Sequence, residues 1–370
     1  MNAVIDISRV TLKTERLFLR PFQKKDAADL FAYASMPGVG PMAGWKPHES
    51  IQESEERIDH FIAEKKTFAL EYQGKVIGSL GIEVYNEKEY PDAELKPLRG
   101  REIGYVLSQD YWGLGLMTEA VREVLKYLFT VEQMDFVTCG HFAKNRRSAR
   151  VQEKCGFRFY GVAPYETQMG AMETSVNSLL TREEWLNDQK KQADQMLRLI
   201  ESRGSYRGKY LPNPVPQEDL TAILRCGLAA PSGCNKQTVS LIAVDDPALL
   251  RRLHEVIRPS AGETAPAMIC VLSKRIIAYR DRCFATQDYA AAIENMLLAA
   301  EALGYKSCWY EGHITDTDRI GNQMAKILGV PADYELVCFL PIGLPEGESP
   351  KALKKPFRER AWLNGFFGEK

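Results

Sequence analysis

The sequence predicts an α+β protein built from two different domains, and three observations carry that expectation. The chain has 370 residues, which exceeds the ~100–200 residues of a usual single domain. Strand-type alternation and helix-type periodicity interleave in both halves, as expected of layered mixed folds. Between the halves, Asn187-Asp188-Gln189-Lys190-Lys191-Gln192 holds no apolar residue. No internal repeat or low-complexity tract relates the halves, so they are expected to be different folds. The expected division is a first domain over 1–185, a connector over 186–197 and a second domain over 198–370. The connector lacks Gly and Pro, which predicts a stiff helix; ~14 residues of helix span ~20 Å.

In the first half, Thr14–Phe22 alternates as a strand, Lys25–Ala34 reads as a helix, and the acidic Ser50–Lys66 stretch as a second helix. Phe68–Tyr72 and Lys75–Tyr85 are strand-like and meet at the turn pair Gln73-Gly74. Glu102–Ser108 is a further strand, followed by a Gly-containing turn and a long amphipathic helix from Leu116 to Phe129. A strand at Asp135–His141 and a helix at Arg146–Cys155, stopped by Gly156, complete the block. The second half opens with Arg203–Tyr210 and continues with a helix at Glu218–Ala230 and strands at Val239–Val244 and Ala267–Leu272. An apolar helix at Gln287–Leu303 and a strand at Glu335–Ile342 follow.

The composition, 45% hydrophobic and 26% charged, is that of a globular protein able to bury real cores. Lys and Arg total 48 against 49 Asp and Glu, so a general nucleic-acid or anionic-membrane binder is not expected. Basic residues cluster instead at Lys144–Lys154, Arg203–Lys209 and Lys351–Arg360, small sites suited to phosphates. Eight cysteines are thinly spread and no two form C-x-x-C, so neither a disulfide scaffold nor a metal site is expected. With no signal-like N-terminal run and no stretch of ~18 apolar residues, the expected location is the cytoplasm.

Two motifs in the first half carry chemistry. Tyr111-Trp112-Gly113-Leu114-Gly115-Leu116-Met117-Thr118-Glu119-Ala120 lies between a strand and a helix. Its glycines allow backbone N–H groups at a helix start to approach an anion closely. Lys144-Asn145-Arg146-Arg147-Ser148-Ala149-Arg150-Val151-Gln152-Glu153-Lys154-Cys155-Gly156-Phe157 then sets five cations against one acid within eleven residues. These segments in this order resemble the GNAT acetyltransferase superfamily, in the branch that acetylates N-terminal amines of ribosomal proteins and related small amines. Thr14-Glu15-Arg16-Leu17-Phe18-Leu19-Arg20-Pro21 and Gly44-Trp45-Lys46-Pro47-His48 share the likeness, which covers about residues 10–180.

The resemblance implies a mixed sheet with flanking helices and an acetyl-CoA site. The pyrophosphate would lie on the backbone amides around Gly113, Leu114, Gly115 and Met117, with Asn145 and Ser148 near the pantetheine arm and thiol. The first position of the family's phosphate turn is commonly Gln or Arg, and here it is Asp110. Acetyl transfer requires a neutral amine, so a base must take its proton, and an acid helps the thiolate leave. Glu102 is the candidate base, its alternative being a strand carboxylate paired with Arg101 or facing solvent. Ser148 is the candidate proton donor, while His48, His141 and Tyr160 are weaker candidates, and Phe157–Tyr160 more simply reads as a half-buried strand.

In the second half, Arg203-Gly204-Ser205-Tyr206-Arg207 places two guanidiniums around a hydroxyl, an arrangement suited to a terminal phosphate. Ala230-Pro231-Ser232-Gly233-Cys234-Asn235-Lys236-Gln237 offers small residues and two amides to the polar edge of a flat heterocycle. With the Gln287–Ala300 helix, Leu303-Gly304-Tyr305-Lys306-Ser307-Cys308-Trp309 and the basic Lys351–Arg360 stretch, these resemble the nitroreductase family of FMN flavoproteins over about residues 195–362. The resemblance implies that Arg203, Ser205 and Arg207 hold the FMN phosphate with Lys355 or Arg358. Asn235 and Gln237 would address the isoalloxazine and ribityl groups, Ser232 and Gly233 would lie along one face, and Glu311-Gly312 would approach flavin N5. Asp288 is expected to cap the helix that begins there.

Thr238-Val239 replaces the family's usual Pro-Trp, and the short domain predicts an open, permissive pocket. The family draws hydride from NADH or NADPH and binds flavin across a two-fold interface, which implies a homodimer through this half. The expected whole is a bifunctional protein. One activity would transfer acetyl from acetyl-CoA to a small amine or peptide N-terminus, and the other would be FMN-dependent NAD(P)H reduction of a small acceptor such as a nitroaromatic or quinone. The alternative is a flavoenzyme whose first half senses acyl-CoA without turnover.

Overall fold

The computed structural model describes residues 1–311, 314, 319–348 and 352–366. The chain divides into two compact units, Met1–Gln192 and Ala193–Lys370, each α+β.

The first unit is organised on one eight-stranded sheet of order β1-β2-β3-β4-β5-β6-β8-β7. The strands are β1 (Leu12–Lys13), β2 (Leu17–Pro21), β3 (Thr67–Tyr72), β4 (Lys75–Glu83), β5 (Gly100–Leu107), β6 (Phe136–Phe142), β7 (Arg158–Glu166) and β8 (Met172–Thr181). Every neighbouring pair is antiparallel except β5 and β6. That exception follows from the crossover helix α3 (Leu116–Thr130) between them, because parallel strands need a long connection. Leu116, Ala120, Val124 and Leu128 recur on one side of α3 and are buried with Leu19, Leu70 and Ile103 of the sheet. Helices α1 (Ala27–Ala34) and α2 (Ile51–Glu64) close a second core with Phe22, Ala69 and Val76, and α4 (Arg146–Lys154) precedes β7.

Of the β7–β8 hairpin the sequence expectations contain only the strand at Phe157–Tyr160, which overlaps the start of β7. That strand runs on to Glu166, is largely exposed rather than half-buried and carries Pro164, so most of it lacks the alternation that marks a strand in sequence. A single helix, α5 (Arg182–Ser202), then runs through the polar connector.

In the second unit, a three-stranded antiparallel sheet runs β13-β10-β9. It consists of β9 (Val239–Val244), β10 (Ala267–Ser273) and β13 (Glu335–Ile342), with a small ribbon of β11 (Ile277–Tyr279) and β12 (Arg282–Cys283) beside it. Every residue of β10 is buried, and its alternation sorts them into two cores. Ala267, Ile269 and Val271 pack with α6 (Gln217–Leu228) and α8 (Ala285–Ala302). Met268, Cys270 and Leu272 pack with α7 (Pro247–Val256) and α9 (Ile320–Ile327). A strand covered on both faces must read as a continuous apolar run, which Ala267–Leu272 does. Helices α7 and α9 were not anticipated, although Asp246 caps α7 by accepting the Leu249 N–H at 2.7 Å. Among the described residues, no helix is long and apolar enough to cross a membrane.

Candidate functional site

In the first unit, β5 and β6 are paired only at Gly100↔Phe136, Arg101↔Val137 and Glu102↔Thr138. Beyond Glu102 the ladder between them ends, while β5 continues to Leu107 against β4 and β6 to Phe142 against β8. Glu102 therefore stands where the sheet splits. Alternation puts its side chain on the face of Thr138 and Gly140, and puts Tyr105 on the face covered by α3 and α4. A Cβ on Gly140 would stand 3.2 Å from Ser175 Oγ, a tight approach, and 3.8 Å from Glu102 Oε1, an ordinary contact, which places Gly140 beside that carboxylate. Burial raises the Glu102 pKa to about 7, and Glu89 and Glu83 add to the effect. Among the described residues, no donor hydrogen-bonds this carboxylate, so it is not tied to Arg101; the Arg101 Nε donates instead to the Ala3 carbonyl.

On the opposite face, the Tyr105 hydroxyl lies 3.0 Å from Ser148 Oγ. Burial holds the Tyr105 pKa well above its ordinary value, so this phenol stays protonated. Asn145 spends its side chain on structure: Oδ1 accepts the Ser148 N–H at 3.2 Å and caps α4, and Nδ2 donates to the Met42 carbonyl at 3.4 Å. The weaker candidates also have structural partners. His141 Nδ1 is 3.1 Å from Gln152, His48 Nδ1 is 2.8 Å from Ser54, and the Tyr160 ring packs 4.7 Å from that of Tyr90.

The phosphate turn has the backbone that the sequence required. Gly113 and Gly115 have φ of 82° and 78°, a region that non-glycine residues avoid. Gly115 is the N-cap of α3 and no side chain caps the helix; the first bond of the turn is Glu119 N–H to Gly115 O, at 3.1 Å. The amides of residues 116–118 precede that bond and remain to serve an anion. Leu114 is half exposed, and Met117 has a buried side chain, so only its backbone is available. Asp110 is exposed. Two cations missed as site residues stand at the turn. Arg16 Nη1 donates to Leu114 O at 2.9 Å and its guanidinium pairs with Glu119 at 2.6 Å, while Arg147 lies 4.3 Å over the Trp112 ring. Arg16 sits in the Thr14-Glu15-Arg16 segment of the resemblance, a signal that could have assigned it.

In the second unit, α8 gathers three of the expected segments. Asp288 does not cap its helix: α8 begins at Ala285 with Phe284 as N-cap. Its carboxylate reaches sideways instead, where Oδ1 accepts the Gly233 N–H at 2.8 Å and Oδ2 accepts the Thr238 hydroxyl at 2.7 Å. One residue on, the Tyr289 hydroxyl donates to Glu311 Oε1 at 2.7 Å; Trp309 Nε1 donates to the other oxygen at 2.9 Å. Two turns along, Glu294 Oε1 stands 3.2 Å from Arg203 Nε. That buried Nε has no aligned hydrogen bond, so the guanidinium keeps donors to offer. Tyr206 is buried and donates from its hydroxyl to the Lys209 carbonyl at 2.6 Å, which fixes the segment; Ser205 and Arg207 beside it are more exposed. Among the described residues, neither Ser205 Oγ nor Arg207 has a hydrogen bond or ion pair.

Ser232 Oγ accepts the Gln237 N–H at 2.9 Å, and Gln237 Nε2 is 3.4 Å from Asn235 Oδ1, with both amide side chains exposed. Gly312 lies outside the described residues. Lys355 and Arg358 are exposed and are not brought to Arg203 by any contact among the described residues.

Comparison with known proteins agrees with this division. The "Acetyltransferase (GNAT) domain" family matches residues 16–158, and the "Nitroreductase family" matches 200–263 and 254–344. An uncharacterized N-acetyltransferase of Bacillus subtilis, YoaA, is 31% identical over 172 residues, which are 43% of this chain and 93% of that protein. A putative NADH dehydrogenase/NAD(P)H nitroreductase of Archaeoglobus fulgidus is 30% identical over 158 residues, 42% of this chain and 88% of that protein. Among solved structures, a nitroreductase with bound FMN from Bacteroides fragilis is 27% identical, covering 46% of this chain and 98% of that one, with a TM-score of 0.39. The chain therefore belongs to two families at once, with a GNAT acetyltransferase domain over residues 16–158 followed by a nitroreductase-family domain over residues 200–344.

Proposed function

We propose that the chain is bifunctional: its first unit transfers acetyl from acetyl-CoA to a small amine or peptide N-terminus, and its second is an FMN-dependent NAD(P)H oxidoreductase acting in the cytoplasm. For the transferase, the carrying observation is Glu102, a carboxyl with a pKa of about 7 at the point where β5 and β6 part. The Glu102 carboxylate takes the proton of the attacking amine, whose nitrogen bonds to the thioester carbon. As the C–S bond breaks, Ser148 gives its proton to the departing thiolate and regains one from solvent as Glu102 releases the amine's proton, while Tyr105, hydrogen-bonded to Ser148 and itself still protonated, holds that hydroxyl in place. Base and acid thus reach the split from its two faces. The amides of the Gly113–Met117 turn, with Arg16 and Arg147 nearby, hold the pyrophosphate.

The residues present fit FMN. Arg203 retains unspent donors, Ser205 and Arg207 flank a pinned Tyr206, and Asn235 and Gln237 display amides that can both donate and accept. Arg203, Ser205 and Arg207 would hold the phosphate, Asn235 and Gln237 the polar edge of the ring and the ribityl chain, and Ser232 and Gly233 one face, with Glu311 and Gly312 at the N5 edge. When bound, FMN accepts hydride from NAD(P)H and passes electrons to a quinone or nitroaromatic. A homodimer is part of this reading. The C-terminal segment exposes Leu353, Phe357, Leu363 and Phe366, which a second copy would cover, and it carries Lys355 and Arg358.

Denaturing release of cofactor from freshly purified protein tests the second activity: one FMN per chain is expected, and a colourless chain that takes up no added FMN would sink it. For the first, an amine panel with acetyl-CoA is expected to show turnover lost in Glu102→Gln. CoA binding with no amine acetylated would leave a sensor.

A further inference from the structure

We propose that Asp288 is the positioning residue that sets the 232–238 loop for the flavin, an inference that rests on the FMN reading above. Asp288 is 4% exposed, and a buried carboxylate is tolerated only when its oxygens are satisfied. Here the two oxygens hold opposite ends of one loop, the Gly233 N–H at 2.8 Å and the Thr238 hydroxyl at 2.7 Å. The far end is fastened again, since the Thr238 carbonyl accepts the Lys274 N–H at 2.9 Å next to the end of β10. The near end has no slack either: a Cβ on Gly233 would stand 2.6 Å from Phe284.

Between these anchors, Cys234, Asn235 and Gln237 have φ of 49°, 53° and 49°. Residues with side chains hold that left-handed conformation only where their surroundings over-determine it. The two-ended clamp from α8 is such a constraint. Its result is a loop with Asn235 and Gln237 exposed on top and the carboxylate hidden beneath, so Asp288 acts on a ligand only through the backbone it holds.

The test compares wild type with Asp288→Ala, Thr238→Val and Thr238→Ser in the full chain. Bound flavin is removed first and FMN titrated back by fluorescence quenching. Hydrogen exchange over 232–238 is followed in the flavin-free protein. Thr238→Val keeps the shape but removes one clamp, so it remains informative if Asp288→Ala does not fold. Both variants are expected to bind FMN roughly tenfold or more weakly, since a hydrogen bond to a charged group is lost. Both should also exchange the loop amides faster, while Thr238→Ser restores wild-type behaviour in both readouts. Wild-type affinity in the variants overturns the proposal alone, as does weakened FMN with unchanged exchange. A wild-type chain that takes up no FMN overturns the flavin reading and the proposal together.

Discussion

Glu102 shows how one half-buried carboxyl trades stability for chemistry. Its pKa is raised from 4.5 to about 7, so the folded unit holds this proton more tightly than the unfolded chain does. Stability is therefore lost as pH climbs between those values, by ~3 kcal/mol at ~1.4 kcal/mol per pKa unit. Only the ionised form can act as base, so acetyl transfer is expected to rise with pH through about 7. Glu102→Gln should lower kcat by ~10²–10⁴-fold, the usual worth of a general base, and yet melt at a higher temperature than wild type at pH 8. A variant that keeps its rate, or that melts lower, would remove Glu102 from the role. Across the split, Tyr105 and Ser148 form one hydroxyl pair 3.0 Å apart, in which Ser148 is the proposed proton donor. In a double-mutant cycle, Tyr105→Phe with Ser148→Ala should be no slower than the worse single variant; additive losses would mean the two act separately.

The turn that opens α3 poses the same question for a whole element. Gly113 has φ of 82° and a Cβ there would meet nothing within 4 Å, so Gly113→Ala adds handedness strain and no clash. It should cost the first unit ~1–2 kcal/mol in urea unfolding and raise the KM for acetyl-CoA while sparing kcat, because the turn only aims amides. An unchanged KM would detach the turn from the cofactor. Elements of this kind were legible in the sequence because local chemistry marks them: the two glycines a strand-to-helix turn, the stripe of α3 an amphipathic helix, and the short apolar run of β10 a buried strand. The hairpin β7–β8 was legible only at Phe157–Tyr160, since its first strand is stabilised by pairing with β8 rather than by burial and so leaves little pattern. Asp288 shows the other limit. An acid near a helix start reads as a cap, and only the fold reveals that its partners are 50 and 55 residues away in sequence. Arg147 over Trp112 is hidden for the same reason, a cation brought to the phosphate turn from a helix that follows the next strand.

At the scale of the molecule, what matters is whether two chemistries on one chain depend on each other. Each buried cluster closes within one unit: those around α3 and α1 within the first, those on the two faces of β10 within the second. A core that closes on itself can fold and titrate by itself, so denaturant unfolding should show two transitions rather than one. Arg203→Ala provides the functional form of this test. Its guanidinium stands 3.2 Å from Glu294 and belongs to the proposed phosphate site of the second unit alone. The variant should lose FMN on gel filtration and its NAD(P)H oxidation with it, while the KM for acetyl-CoA and the first transition stay at wild-type values. Saturating FMN should raise only the second transition, and CoA only the first, because a ligand stabilises the unit it binds. If Arg203→Ala instead weakened both ligands, or if FMN moved both transitions, the two units would be thermodynamically coupled, and the covalent fusion would be a device for linking acetyl transfer to the state of the flavin site.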